Sequence, residues 1–393
     1  MFILVLGSVL GLMHLYVWKR MVRDTTSPGR TRRLLTVGLV ALMALLFAAL
    51  VLPRVLGVGE SGWVAWPGYI WFGLLVYLFL VLLVLEVVRL AAWIRRRWRA
   101  HRRPAETREP AGSGPAVDRR VFLARTTAVA AGVTAVGLTG FGMANALGRP
   151  ELLQVPLRLA RLDPALNGFR IAVVADIHLG PLLGRAHTER IVSMINAAEP
   201  DLVAVVGDLV DGTVDDLGAA AEPLQDLVAP DGAFFVTGNH EYFVEDTASW
   251  LDELDRLGLH LLRNENTRIS RAGAAFDLAG VNDVAGESDS DGPDLDRALR
   301  GANSAGPTIL LAHQPIQVHQ AADRGVDLQL SGHTHGGQMW PFHYATALAQ
   351  PSLAGLSTVG DTQLYVTRGA GFWGPPVRVG APPDISLLTL QSA

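Results

Sequence analysis

The chain has 393 residues, half of them hydrophobic, with a positive mean hydropathy, a balance that points to a membrane portion beside a folded one rather than to a wholly soluble protein. Its formal charge is divided: residues 1–150 carry 19 Lys and Arg against 6 Asp and Glu, residues 151–393 carry 14 against 31, so the two parts stand at +13 and −17. Cysteine is absent, which excludes disulfides, zinc-thiolate sites and thiol nucleophiles.

Four uncharged stretches, Met1–Trp18, Leu34–Pro53, Ser61–Leu85 and Thr126–Gly148, come close to the roughly 20 apolar residues that span a bilayer. The first is the shortest. Lys19, Arg20, Arg23, Arg30, Arg32 and Arg33 follow it, and Arg95, Arg96, Arg97, Arg99, Arg102 and Arg103 follow the third, so the positive-inside rule makes both loops cytoplasmic. Trp63, Trp66, Tyr69 and Trp71 crowd the opposite end of the third stretch, as an interfacial belt would. This reading divides the chain into three transmembrane helices over 1–103, a cytoplasmic linker over 104–118, a fourth membrane segment within 119–148 and a domain over 150–393, outside the membrane.

The linker, rich in Pro, Gly and charge, leads into Asp118-Arg119-Arg120-Val121-Phe122-Leu123, which resembles the twin-arginine export motif. Asp118 and Ala124 depart from its usual residues, and the alternative is that Arg119, Arg120 and Arg125 anchor the last helix. Either way the following domain is expected outside, with the export machinery as a partner in the first case. Ala144-Asn145-Ala146 offers an A-x-A-like cleavage site, which leaves both a tethered and a released domain open.

From Phe169 the pattern is α/β: short apolar runs that end in polar residues alternate with amphipathic stretches. Ile171–Ala175 ends in Asp176-Ile177-His178. Leu202–Val206 ends in Gly207-Asp208, and Ala233–Val236 in Gly238-Asn239-His240-Glu241. Thr308–Leu311 ends in His313, and Leu328–Leu330 in Gly332-His333-Thr334-His335, followed by a Gly-Gly turn. Helices are expected over Thr188–Ala198 and around Leu217–Leu227. Strands of one parallel or mixed sheet bring their carboxyl ends to one rim, which here would gather Asp176, His178, Asp208, Asn239, His240, His313, His333 and His335. His187, His260, His319 and His343 fall outside the pattern and read as ordinary histidines.

Carboxylate, imidazole and one amide oxygen, without sulfur, suit Mn²⁺, Fe²⁺ or Zn²⁺. Seven ligands exceed one ion's needs and suit two ions about 4 Å apart with a shared carboxylate, an arrangement for in-line displacement at phosphorus.

In their order these motifs are similar to those of the calcineurin-like metallophosphoesterase superfamily, over roughly residues 165–393. Ser331–Gln338 and the tail from Arg368-Gly369 to Pro382-Pro383 resemble its bacterial branch of membrane-associated or exported phosphodiesterases. The resemblance implies a four-layer α/β/β/α sandwich of two mixed sheets and a pair of divalent metal ions. It implies that Asp176, His178, Asp208 and His335 hold one ion, and that Asp208, Asn239, His313 and His333 hold the other. His240 would face the substrate phosphate, with Asn239 and Asp208 completing the catalytic set and a bridging hydroxide as nucleophile. Glu241 and Asp211 are read as capping or solvated residues.

The expected activity is metal-dependent hydrolysis of a phosphodiester, pyrophosphate or phosphomonoester. A lipid-linked substrate is suggested by Met339-Trp340-Pro341-Phe342 and Phe372-Trp373, read as an apolar mouth within reach of the bilayer. The competing reading is a membrane-anchored scaffold with an inert phosphoesterase domain, whose signature would be missing ligands; none is missing. Few ionisable residues inside the spans argue against a transporter. A domain at −17, acidic again over Asp283–Asp296, argues against nucleic acid as a partner.

Overall fold

Two kinds of apolar pattern separate the chain into two kinds of structure. Long runs with hydrophobic residues all round form helices, and short β-branched runs form strands. The computed structural model describes residues 2–56, 62–101, 116–244, 247–302 and 306–393, so most of the expected linker lies outside the described residues. The chain divides into Met1–Phe141 and Gly142–Ala393.

The first unit holds α1 (Phe2–Val17), a short π-helical segment over Trp18–Arg23, α2 (Arg30–Leu56), α3 (Gly62–His101) and most of α4 (Ala116–Ala146). Among the described residues three helices are long and apolar enough to cross a membrane, over Arg30–Val51, Gly62–Arg99 and Val121–Ala146. The 16 residues of α1 reach only about 24 Å, short of the ~30 Å hydrocarbon core. Helices α2 and α3 approach closely at a small-residue contact, where a Cβ on Gly68 would lie 2.6 Å from that of Ala49.

In the second unit the strands are β1 (Glu151–Leu159), β2 (Arg170–Val174), β3 (Leu202–Val206), β4 (Ala233–Val236), β5 (Leu259–Leu261), β6 (Glu265–Arg271), β7 (Ala274–Gly280), β8 (Thr308–Leu311), β9 (Leu328–Ser331), β10 (Gly355–Val359), β11 (Thr362–Val366) and β12 (Asp384–Ser392). They form two six-stranded sheets, ordered β1-β12-β2-β3-β4-β5 and β10-β11-β9-β8-β7-β6. Both are mixed. The runs β2-β3-β4-β5 and β11-β9-β8-β7 are parallel, while β12 against β2, β10 against β11 and β6 against β7 are antiparallel.

Alternation along each strand decides which layer a side chain enters. Ile171 and Val173 face the core shared by the sheets, with Phe169, Leu278, Ile309 and Leu330. Ala172 and Val174 face outward, against Ile191 and Ile195 of α5 (Arg185–Ala197) and Trp250 and Leu254 of α7 (Thr247–Arg256), with α6 (Val214–Ala221) between those helices in the chain. On the other sheet, Ala279 and Leu310 pack outward on Leu295 of α8 (Leu295–Ala298) and Ala321 of α9 (Val318–Ala322). The layers are therefore α/β/β/α. Of the two expected helices, the second stops at Ala221 and continues as a 3₁₀ turn over Glu222–Asp226, where Pro223 favours a helix start over a continuation. The five site-bearing strands do not share one sheet: β2, β3 and β4 lie in the first, β8 and β9 in the second.

Candidate metal centre

Each of these strands is buried to its last residue and then has to turn, and the turn falls on the polar residue. Asp176, His178, Asp208, His333 and His335 have φ between 49° and 71°, the left-handed region that non-glycine residues other than Asn, Asp and His rarely adopt. Such backbone costs of the order of 1–3 kcal/mol per residue and is held here by hydrogen bonds between loops. Asp176 N donates to Gly207 O at 3.0 Å and His178 N to Asp208 O at 3.1 Å. His333 N donates to both oxygens of Asp176, at 3.1 and 3.0 Å, which ties β9 of the second sheet to β2 of the first. Gly238 has to be glycine, since a Cβ there would lie 2.3 Å from Asp208 Oδ1.

Hydrogen bonds also decide which ring nitrogens face the centre. His313 Nδ1 donates to Val206 O at 2.8 Å and so presents Nε2. His178 Nδ1 lies 3.0 Å from Asp211 Oδ1, and Nε2 again points inward. Arg378 Nη2 donates to His335 Nδ1 at 3.0 Å, which turns His335 Nε2 to within 3.1 Å of His178 Nε2 and 3.4 Å of Asp176 Oδ1. Asp208 Oδ2 lies 3.2 Å from His313 Nε2 and 3.8 Å from His178 Nε2. Ligand atoms of Asp176, His178 and His335 gather within 4.8 Å of one another, as do those of His178, Asp208 and His240, and those of Asp208, His313 and His333. Shared members make these one cluster, and Asn239 lies between two residues that touch Asp208.

Three atoms test whether a cation fits. Asn239 Oδ1 and His333 Nδ1 are buried and have no hydrogen-bond partner, and buried His313 Nε2 has none of good geometry, its one polar neighbour being Asp208 Oδ2 at 3.2 Å. Buried polar atoms are almost always paired, and three such atoms in one cluster are the donor set a cation needs. All three belong to the set that the family resemblance implies for a single ion.

Burial and neighbouring charge set the electrostatics: burial opposes charge on His313, yet Asp208 holds it well above its ordinary value. Burial pushes Asp176 up to about 6. For Asp208 burial acts in the same direction, but His313, His240 and His178 outweigh it and hold the carboxyl well below the usual range. Burial and the charge of His313 pull His333 down to about 4, and burial with Arg378 pulls His335 well below its ordinary value, so both rings are neutral and able to ligate. Burial opposes charge on His240, yet Asp208 and Asp211 raise it to about 9.

The Calcineurin-like phosphoesterase family model matches residues 169–337. A transmembrane protein with metallophosphoesterase domain from Danio rerio is 34% identical over 406 residues, covering 100% of this chain and 89% of the relative. This chain belongs to the calcineurin-like metallophosphoesterases. A second such transmembrane protein, from Bos taurus, is 40% identical over 70% of this chain and 65% of its own length. An uncharacterized metallophosphoesterase of Bacillus subtilis is 30% identical over 70% of this chain and 98% of its own length.

Beyond the family motifs, the fold recruits Asp211, Glu241 and Arg378. Asp211 is not a solvated surface group: Oδ1 is shared between His178 Nδ1 and His240 Nδ1, the latter at 2.6 Å. Its signal is its place three residues after Asp208 in the same loop. Glu241 is fully buried, which corrects the solvated reading and keeps the capping one: it accepts from the amides of Asp208, Leu209 and Gly238 at 3.0, 2.7 and 2.6 Å. Arg378, a lone cation in a Pro-rich apolar tail, is also fully buried and donates to the carbonyls of Gly371 and Arg368 at 2.8 and 2.9 Å. Of the aromatics expected at the mouth, Trp340, Phe342 and Trp373 are exposed, but Phe372 is buried against Ala146 and Leu183.

Proposed function

We propose that this metallophosphoesterase domain hydrolyses a lipid-linked phosphodiester or pyrophosphate on the outer side of the cytoplasmic membrane, with one divalent ion on Asp176, His178, Asp208 and His335 and a second on Asp208, Asn239, His313 and His333. The observation that carries the reading is the set of unpaired buried atoms on Asn239, His313 and His333. Bound there, two divalent ions supply Lewis acidity to phosphoryl oxygens and lower the pKa of a water.

The chain's own residues do the rest. Asp208, placed between the two groups of ligands, serves both. Asp211 holds His240 by Nδ1 at 2.6 Å, leaving Nε2 as the nitrogen that meets the leaving oxygen, and the Asp211 carboxylate favours the protonated ring that can donate to it. The rings of Phe243 and Trp373 lie 5.2 and 5.9 Å from that of His240, so apolar walls flank the polar centre, which suits an acyl or prenyl chain better than a free nucleotide. The outer location rests on the basic loops around residues 19–33 and 95–103 and on the acidic domain, and export through the twin-arginine route rests on Arg119 and Arg120.

The test is the full chain in detergent, loaded with Mn²⁺, Fe²⁺ or Zn²⁺ in turn and offered a lipid pyrophosphate, a lipid phosphodiester and their soluble headgroup analogues. Turnover of the lipid substrates that Asp208→Asn or His333→Ala abolishes is expected, and equal rates on the soluble analogues would remove the lipid from the reading. Normal turnover by Asp208→Asn with two metals bound would remove the metal assignment.

A further inference from the structure

Between Leu328 and Gly360 the chain has no Asp, Glu, Lys or Arg, in a domain that otherwise carries such a residue about every five positions. Part of this run is the buried strand β9 and the turn after it, as far as the buried Met339. From Trp340 onward it is not buried. Trp340 is 53% exposed, Phe342 45%, Tyr344 66% and Leu348 92%, and α10 (His343–Ala349) has no buried residue at all. Tyr344 and Leu348, four apart, stand on one face of that helix. Single exposed apolar residues are ordinary; four on one short segment without charge make a patch.

The segment is held firmly. Gln338 donates to the carbonyls of Trp373 and Pro375 at 3.0 and 3.2 Å and accepts from Trp373 N at 3.1 Å. Trp340 N donates to Val379 O at 2.9 Å, and Val379 N to Gln338 O at 2.9 Å. The neighbour in the chain, Arg378, receives the end of α4: its N donates to Gly142 O at 2.9 Å, and Asn145 Nδ2 donates to its carbonyl at 3.2 Å. A Cβ on Gly142 would lie 2.4 Å from Val377, so glycine is what lets the helix come this close. Ala146 is buried with Leu183 and Phe372, and Arg190 donates to the carbonyls of Leu147 and Gly148. One residue along the chain separates the backbone group that meets α4 from the one that meets Trp340, which places the Trp340 backbone within roughly 10 Å of that of Gly142.

We infer that Trp340, Phe342, Tyr344 and Leu348 form a docking lip that rests in the headgroup region of a lipid bilayer, the leaflet from which α4 emerges. The apolar run of α4, Val121–Ala146, ends in residues bonded to Arg378 beside the lip, so the chain itself tethers the lip within reach of the leaflet that α4 leaves. Trp and Tyr have the apolar body and polar edge that such an interface favours. Charge makes the same choice of surface: the domain carries −17 and is repelled by anionic lipid, and its uncharged segment is the part that can approach. Docking would hold the site mouth at one height above the leaflet. The inference rests on α4 crossing a bilayer and is independent of whether the site turns over a lipid.

Because the chain has no cysteine, one substitution gives one label. The full chain carrying Leu348→Cys is labelled with bimane and reconstituted into nanodiscs of phosphatidylcholine and phosphatidylglycerol, with or without lipid bearing a nitroxide near the top of the acyl chain. Val228→Cys, exposed just ahead of β4 and so at the rim away from the site, is the reference. A group seated about 5–10 Å into the headgroup boundary should lose about half its emission to the nitroxide lipid and be shielded from aqueous iodide, with Val228 showing the opposite pattern. Quenching of Leu348 by iodide to the same extent as Val228 overturns the inference. Shielding from iodide without quenching by nitroxide lipid overturns it too, in favour of a second protein on this face. Neither measurement involves substrate, so either outcome leaves the hydrolysis reading to its own test.

Discussion

Glu241 accepts three backbone amides and has no access to solvent, so its effect on the centre is exerted through the backbone of Asp208, Leu209 and Gly238. An amide side chain cannot accept at both ends, and Glu241→Gln leaves at least one buried amide unpaired. It should lower stability by about 1–3 kcal/mol and loosen together the two ion sites proposed to share Asp208. Thermal unfolding and metal content of the full chain in detergent check both. Gly238→Ala reaches the same carboxylate from the other side: a methyl 2.3 Å from Asp208 Oδ1 must move it, and metal content should fall with activity. Retained metal in Gly238→Ala would show that Asp208 is not the shared ligand. Asp208→Asn is the gentler probe, since Asn tolerates the left-handed backbone at φ 54° that Asp208 adopts. At this scale the candidate ligands are readable because each is a polar residue after an apolar run. Asp211, Glu241 and Arg378 are not, because what distinguishes them is the partners that tertiary packing brings to them.

Strands explain why so much of the site is legible in the amino-acid sequence: a fully buried strand reads as an unbroken apolar run, and its end is marked by the first residue that must leave the core. Five such ends can be read from local pattern alone. Their division between two sheets cannot, because the pairing of β12 between β1 and β2 depends on the far end of the chain, and no local pattern carries it. Helix α5 offers a prediction of its own. His187, which by sequence belongs with the ordinary histidines, is buried there with Nε2 unpaired, and burial, reinforced by Arg190 and Arg378, lowers its pKa from 6.5 to about 4. Between those values the unfolded chain binds a proton that the folded chain refuses, so this contribution to stability is complete above about pH 6.5 and falls as the pH drops towards 4. The loss at pH 5 relative to pH 8 should be about 2 kcal/mol. In His187→Met the drop in Tm between those pH values should be smaller than in the parent, and an equal drop would show that His187 titrates normally.

For the whole molecule the governing fact is the split of charge, +13 on residues 1–150 and −17 on residues 151–393. Cations near the ends of membrane helices are retained on the cytoplasmic side, whereas the negative charge of a long domain scarcely affects which side it reaches. Reporter fusions after Arg103 should therefore score as cytoplasmic, and fusions after Arg149 as external. A cytoplasmic score after Arg149 would invert the orientation and place the metal centre inside the cell. The route is a separate question, because Arg119 and Arg120 could act by charge alone or as a recognised guanidinium pair. Replacing both by Lys keeps the charge that sets orientation and removes the planar donors that a receptor would read. If the twin-arginine route carries the domain, the double variant should retain α4 in the membrane and accumulate the metal centre inside, seen as loss of protease accessibility in spheroplasts. Unimpaired export would assign Arg119 and Arg120 to anchoring and leave the orientation as it stands.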